Sequence, residues 1–424
     1  MPEHAGYAPQ FNDNNGFVNS QDEWTYVGLK YIDLGFNVYC HRATPTGKRD
    51  CMGHLSGEGL IGRAHSQGAS VYVSIGGWSL SDAFPELCAN AESRHTFAMN
   101  CVGLIREYNF DGIGKSFLLD VLSICVLQFS HIDSLYCLRI LDIDWEFPGY
   151  EPHRGTSADG ENFVLLLQDI RSAIDAYTTA TYPNGERTFG LTAALPCNPS
   201  IIDHQDIPRV SEILTELNLM TYDFHGTWNE KVGINSPLFD QPKDKLDSPE
   251  HSVNGCVERW VRDGADKSKI NIGLPFYGRS YSGTTELYST FDGADALNWW
   301  ADEGQPQYYN ILDKLTNMTS LRDDATKTQF AFFEDGSGVV SFDDSQSICD
   351  KVEYALEEEL HGYIIWELSG DLTEDLRTPL LDAVNFKLEQ GDTFDCESFR
   401  LETRDENGEV VKQEIGKPDP WYGE

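Results

Sequence analysis

Six short runs of apolar, β-branched residues recur along this chain: VYVSIGG at 71–77, DIDWE at 142–146, FGLTAALP at 189–196, LNLMTYDF at 217–224, INIGLPFYG at 270–278 and YIIWELSG at 363–370. Amphipathic helical patterns lie between them. Phe97, Cys101, Leu104, Ile105 and Tyr108 fall on one helical stripe, and Phe163, Leu166, Leu167, Ile170 and Ile174 on another. Strands apolar on both faces need cover on both, and helices alternating with them supply it, so the pattern demands a parallel sheet. YIDLGFNVY at 31–39 supplies an earlier strand and HAGYAPQF at 4–11 a weak first one, which brings the count to eight. The expected fold is α/β, a (β/α)8 TIM barrel, and 424 residues are enough to fill one.

The alternation breaks after residue 278, and the next strong helical pattern is at 345–360, too far for a loop without structure of its own. Residues 279–343, with the aromatic runs NWW and YYNI, are expected to form an inserted α+β subdomain within a catalytic barrel spanning 1–390. Residues 391–424 are polar, contain Asn-Gly turn chemistry and show no helical stripe; a hairpin, a linker stub or disorder would each suit them.

In DIDWEFPG the carboxylates Asp142, Asp144 and Glu146 alternate with Ile143, Trp145 and Phe147. On a strand this spacing puts the three acids on one face. A solvated acidic face is the bland alternative, but the flanking strands are apolar and the reverse face carries Trp and Phe. The acids are therefore expected in the barrel interior near its C-terminal mouth. Three carboxylates so placed repel one another, which favours holding a proton on at least one.

FDGI at 110–113 joined to DIDWEFPG resembles the strand-4 signature of the glycoside hydrolase family 18 chitinases. SIGGWS at 74–79, MTYDFHGTW at 220–228, GLPFYGRS at 273–280 and WELSGD at 366–371 resemble that family's motifs on strands 3, 6, 7 and 8. Singly, SIGG is better explained by a glycine bend, MTYDFHG is equally well explained by a buried Tyr and an N-capping Asp, and Trp366 fits ordinary core; their order carries the resemblance.

The resemblance implies hydrolysis of β-1,4-linked N-acetylglucosamine polymers with retention, assisted by the substrate's own N-acetyl group, a known exception to the two-carboxylate scheme. It implies Glu146 as acid and base, Asp144 as the group that holds the acetamido N–H, Asp142 as its proton-sharing partner and Tyr222 as donor to the acetamido oxygen. Met220 and Asp223 would complete that pocket, with Gly77 at the turn of the strand-3 motif. Trp366 would form its floor, and Trp78, Trp228 and Arg279 would line neighbouring subsites, since pyranose faces stack on indoles. Phe147 replaces a frequent Tyr, and Tyr7 is the candidate for an aromatic on the first strand. A chitin-binding lectin of the same fold is an alternative that Glu146 opposes. An endo-β-N-acetylglucosaminidase acting on N-glycan cores is another, opposed by an insertion suited to a linear polymer.

Residues 114–141 tear the signature in two, and their removal restores it. An insertion inside a barrel strand has no exposed tip to occupy and endangers the facing of all that follows. Gly114-Lys115-Ser116 can be encoded by GGT AAG Txx, which contains the intron start GTAAGT, so a translated intron is expected. A phosphate-loop reading of GKS fails because position 109 is Asn. If the segment is translated, LRILDIDWE can still serve as the strand, with Arg139 in the slot meant for Asp111, at a cost of several kcal/mol in order of magnitude.

Net charge is −38, from 69 acidic and 31 basic residues, which repels polyphosphates and argues against nucleic acid or anionic membrane as a partner. Ten cysteines show no CxxC pair or zinc spacing, so neither metal nor other cofactor is expected. They suit disulfides or buried thiols equally. No apolar run reaches the roughly 18 residues of a membrane span. Residues 1–20 contain no apolar signal core, yet Asn317-Met318-Thr319 is a glycosylation sequon, and a secreted monomer acting on chitin or its oligosaccharides is the expectation.

Overall fold

The computed structural model describes residues 72–108, 127–128, 139–184, 188–242, 251–299, 304–373, 376–399, 403–404 and 410–411. The strands expected at 4–11 and 31–39, Tyr7, Asp111, Asn109 and most of segment 114–141 lie outside these residues. The chain divides into two compact units. The first contains residues 1–220, 259–271 and 360–364; the second contains 221–258, 272–359 and 365–424.

The first unit is organised by the parallel sheet. Strands β1 (Val73–Gly76), β2 (Leu127–Gln128), β3 (Arg139–Asp144), β4 (Phe189–Leu195), β5 (Glu216–Leu219), β6 (Ile270–Pro275) and β12 (Gly362–Trp366) stand in the order β1-β3-β4-β5-β6-β12-β2, β6 and β12 beginning in this unit. β1, β3, β4 and β5 pair in parallel with consecutive register, Ser74 beside Asp142, Asp142 beside Thr192 and Thr192 beside Glu216. The order is that of a (β/α)8 barrel. β4, β5 and β6 are buried along their whole lengths, as expected of strands covered on both faces.

Arg139–Leu141, from the anomalous segment, form the first half of β3, paired with Phe189–Leu191. β2, from the same segment, pairs antiparallel with Gly362 and Tyr363 at the start of β12.

Helices α1 (Phe84–Ala89), α2 (Ala91–Tyr108) and α3 (Asp159–Thr181) pack on one another, with α3 against β4. α3 buries Phe163, Leu166, Leu167, Ile170 and Ile174 along its expected stripe. Its first residue, Asp159, is fully buried and accepts from the backbone N–H of Gly149 and Thr156 and from the Thr156 hydroxyl. That carboxylate ties the loop after β3 to the helix.

The second unit contains an antiparallel sheet of β7 (Arg279–Ser282), β8 (Gly293–Ala294), β9 (Met318–Asp323), β10 (Thr328–Phe333) and β11 (Gly338–Phe342), in the order β8-β7-β11-β10-β9. Tyr281, Val232 and Val339 form a small core there, against which Leu287, Phe291, Phe330 and Phe332 pack. Residues 391–399 stay with the fold: Phe394, Cys396 and Phe399 are buried, and Cys396 is disulfide-bonded to Cys349. Among the described cysteines, Cys197 and Cys256 are also in disulfides, while Cys88 and Cys101 are buried thiols. Further on, β13 (Thr403–Arg404) and β14 (Val410–Val411) pair antiparallel.

Candidate active site

The strand-3 motif explains its own glycines. Gly76 has φ +120°, and a Cβ there would lie 2.2 Å from the Asp144 carbonyl oxygen, so only glycine lets β1 approach β3 so closely. Gly77 donates its N–H to that same oxygen at 2.7 Å. From the short helix that follows, Ser81 donates to the Gly77 carbonyl at 2.9 Å and accepts the Glu146 N–H at 2.8 Å. On the other side, His153 Nδ1 lies 2.6 Å from the Glu146 carbonyl and must be its donor. Both faces of the Glu146 backbone are thus held while its side chain stays half-buried.

Behind the acids, Trp145 is buried, stacked on Phe84 at 5.2 Å and edge-on to Phe163. This apolar anchor fixes the facing of the strand, so the acids turn away from it. Asp142 Oδ2 accepts from Ser74 Oγ at 2.6 Å, and Oδ1 accepts from Thr192 Oγ1 at 2.7 Å and Asn218 Nδ2 at 3.1 Å. Four consecutive strands of the sheet thereby converge on one carboxylate. Asp144 is 1% exposed. Trp78, 49% exposed, is braced by the rings of His153 at 4.4 Å and Tyr150 at 5.7 Å. Met220 is buried just past β5 and donates its N–H to the Leu195 carbonyl.

In the second unit, Tyr222 is half-buried, its ring 6.1 Å from that of Tyr277. A Cβ on Gly273 would come within 2.6 Å of the Tyr222 ring, so the strand-7 glycine makes room for that tyrosine. Asp223 takes a left-handed φ of 58° and accepts from Tyr277 Oη at 2.8 Å and Arg279 Nε at 2.8 Å. The Arg279 guanidinium lies 4.8 Å over the face of Trp228, which is itself 58% exposed. Burial opposes the charge on Arg279, but Asp223 outweighs it and the guanidinium is held above its ordinary pKa. Burial, then the Asp223 charge, push the Tyr277 phenol well up, so it serves as a neutral donor. Trp366 is half-buried and its carbonyl accepts the Phe276 N–H at 2.8 Å.

The predicted residues thus fall into two groups. Asp142, Asp144, Glu146, Gly77, Trp78 and Met220 belong to the first unit; Tyr222, Asp223, Trp228, Arg279 and Trp366 belong to the second. Ser81, His153, Thr192, Asn218 and Tyr277 were not anticipated, although Thr192 and Asn218 are polar intruders in apolar runs, a visible signal. Asp350, Glu353 and Cys396 bring ligating atoms within 4.8 Å of one another, but Cys396 is committed to its disulfide and Asp350 to Arg322.

The family model for the glycosyl hydrolases family 18 matches residues 13–114 and 129–371. The chain belongs to glycosyl hydrolase family 18. The interruption, 115–128, falls inside the anomalous segment 114–141. Endochitinase 1 of Metarhizium robertsii is 28% identical over 373 residues, covering 87% of this chain and 75% of its own length. Chitinase 1 of Aphanocladium album is 28% identical over 356 residues, covering 84% and 71%. Among solved structures, catalytic domain 2 of the Ostrinia furnacalis Group II chitinase, in complex with a chitin oligosaccharide, is 26% identical with a TM-score of 0.65 over 81% of this chain and 85% of that one.

Proposed function

We propose that this family 18 hydrolase cleaves β-1,4-linked N-acetylglucosamine chains by the retaining, substrate-assisted route. The observation that carries the reading is the pair of backbone clamps on Glu146, beside a buried Asp144 and a fully hydrogen-bonded Asp142. Glu146 protonates the glycosidic oxygen and later activates water; Asp144 orients the acetamido N–H so that the carbonyl oxygen attacks the anomeric carbon; Asp142 shares the proton load. Tyr222 donates to the acetamido oxygen. Exposed indoles at Trp78 and Trp228 suit sugar faces, and the Asp223–Arg279 pair suits their hydroxyl edges. No described helix is long and apolar enough to cross a membrane, and secretion as a monomer is part of the same proposal.

Glu146→Gln is isosteric and loses only the transferable proton. It is expected to lower turnover of chitin oligosaccharides by roughly 10²–10⁴-fold while leaving them bound. Turnover within a few-fold of the unaltered chain would overturn the assignment and favour a binding protein. Excision of residues 114–141, measured in the same assay and by thermal unfolding, is expected to raise both activity and Tm, because FDGI then replaces Arg139–Leu141 ahead of Asp142 and Asp111 takes the slot that Arg139 would fill. Equal melting and equal turnover would show that the segment is a tolerated part of the fold.

A further inference from the structure

A buried polar chain runs from Asp142 toward the N-terminal ends of the barrel strands. Asn218 on β5 donates its amide to Asp142 Oδ1 at 3.1 Å and accepts, through its own Oδ1, from Asn271 Nδ2 on β6 at 2.9 Å. Asn271 Nδ2 also donates to Glu216 Oε2 at 3.0 Å. Glu216, at the first position of β5, is fully buried and has His361 Nε2 3.5 Å from its other oxygen. His361 Nδ1 lies 3.1 Å from the Ser268 carbonyl, so both ring nitrogens face acceptors and the ring fits as a doubly protonated cation.

The chain has one direction. Carboxylates stand at its two ends, so both amides must turn their NH2 groups outward. If Asn271 flipped, its oxygen would face the Glu216 carboxylate and the Asn218 oxygen together. The Asn271 oxygen is buried with no partner among the described residues, a penalty incurred because its NH2 group serves both acceptors. With Asn271 fixed, Asn218 cannot flip either, since its oxygen would then confront Asp142.

We propose that Asn218 is a positioning residue for the Asp142–Asp144 pair, and that its amide is locked by the buried relay Asn271–Glu216–His361. The proposal rests on the chitin-hydrolase reading. Ser74 and Thr192 donate through freely rotating hydroxyls, whereas Asn218 presents a planar donor whose aim is set from the far end of the strands. Asn271 and Glu216 touch neither Asp142 nor substrate, yet they decide which face Asn218 shows.

The test compares Asn218→Asp, Asn218→Ala, Asn271→Ala and the double Asn218→Ala/Asn271→Ala in the full chain. Readouts are kcat and KM on chitin oligosaccharides, affinity for a cyclic oxazolinium mimic, and Tm. Asn218→Asp keeps the shape but turns the fixed donor into a second carboxyl facing Asp142, whereas Asn218→Ala removes the donor without adding charge. The expected result is a kcat loss on the order of 10- to 100-fold for both Asn218 variants with KM within about twofold, and matching loss of affinity for the mimic. Asn271→Ala is expected to lose several-fold in kcat without any contact to Asp142, and the double variant to be no worse than Asn218→Ala. Unchanged kcat in Asn218→Asp, additive losses in the double variant, or kcat losses that merely track the unfolded fraction would each overturn the positioning role. Failure of the unaltered chain to turn over the oligosaccharides or bind the mimic would instead overturn the hydrolase reading, and the positioning role with it.

Discussion

The two units bury polar groups in opposite ways. Within the barrel sheet, the space beneath Asp142 is filled by hydroxyls and amides, and formal charge appears only at the far end, where Glu216 meets His361. In the second unit, full charges are packed together. Arg322 is buried among Asp344, Asp350 and Asp324, and Lys351 bonds Asp343 at 2.5 Å and Ser236 at 2.8 Å. Neutral dipoles aim a carboxylate without pairing it to an opposite charge. Opposed charges do the reverse: each is costly to bury and is held only by its partner, which makes the arrangement rigid and unforgiving.

That contrast predicts a ranking. Lys351→Met removes a fully buried cation and leaves Asp343 alone, a change expected to cost about 3–5 kcal/mol near neutral pH. Asn271→Ala removes an uncharged amide and its hydrogen bonds to Asn218 and to the Glu216 carboxylate, and is expected to cost about 1–3 kcal/mol. Denaturant unfolding of both variants checks the order. Equal losses, or a larger one for Asn271→Ala, would break the comparison. The Lys351→Met loss is also expected to shrink at pH 5, because burial already pushes Asp343 up to about 6, and without Lys351 it takes a proton more readily still.

The same contrast separates what the sequence discloses from what it hides. The strand runs and the DIDWE acids announce themselves by local period, and SIGG is legible because Gly76 must let two strands touch. The relay is not, because Asn218 and Asn271 are 53 residues apart and meet only when β5 and β6 pair side by side. Each looks like a lone polar residue in an apolar run. Residues 391–399 mislead for another reason: their polar composition masks Phe394, Cys396 and Phe399, three buried anchors with no helical period. Arg139–Leu141 show that part of a segment foreign to the family signature can still supply strand residues, because β-pairing is satisfied by backbone groups whatever the side chains.

The smallest expected effect, and the one that distinguishes the two regions without a large structural loss, is the pH dependence of stability. Burial raises Asp343 and Asp350 to about 6, from an unfolded value of 3.8, so the native state holds those protons longer than the unfolded chain does. Their contribution to stability is therefore complete below about 4 and lost as the pH climbs through about 6. Hydrogen bonding to Glu216 raises His361 above its ordinary 6.5, against the pull of burial, and its contribution is present below that value and lost as the pH rises through the higher folded one. Both regions therefore make Tm fall with rising pH, but in successive windows. His361→Gln keeps a donor toward Glu216 and removes the titration, so it is expected to flatten the Tm curve above about pH 6.5 and leave the segment between 4 and 6 unchanged. If the curve instead flattened in the lower window, or kept its upper slope, the barrel floor would not be held by an imidazolium, and the direction assigned to the amide chain above it would lose its anchor.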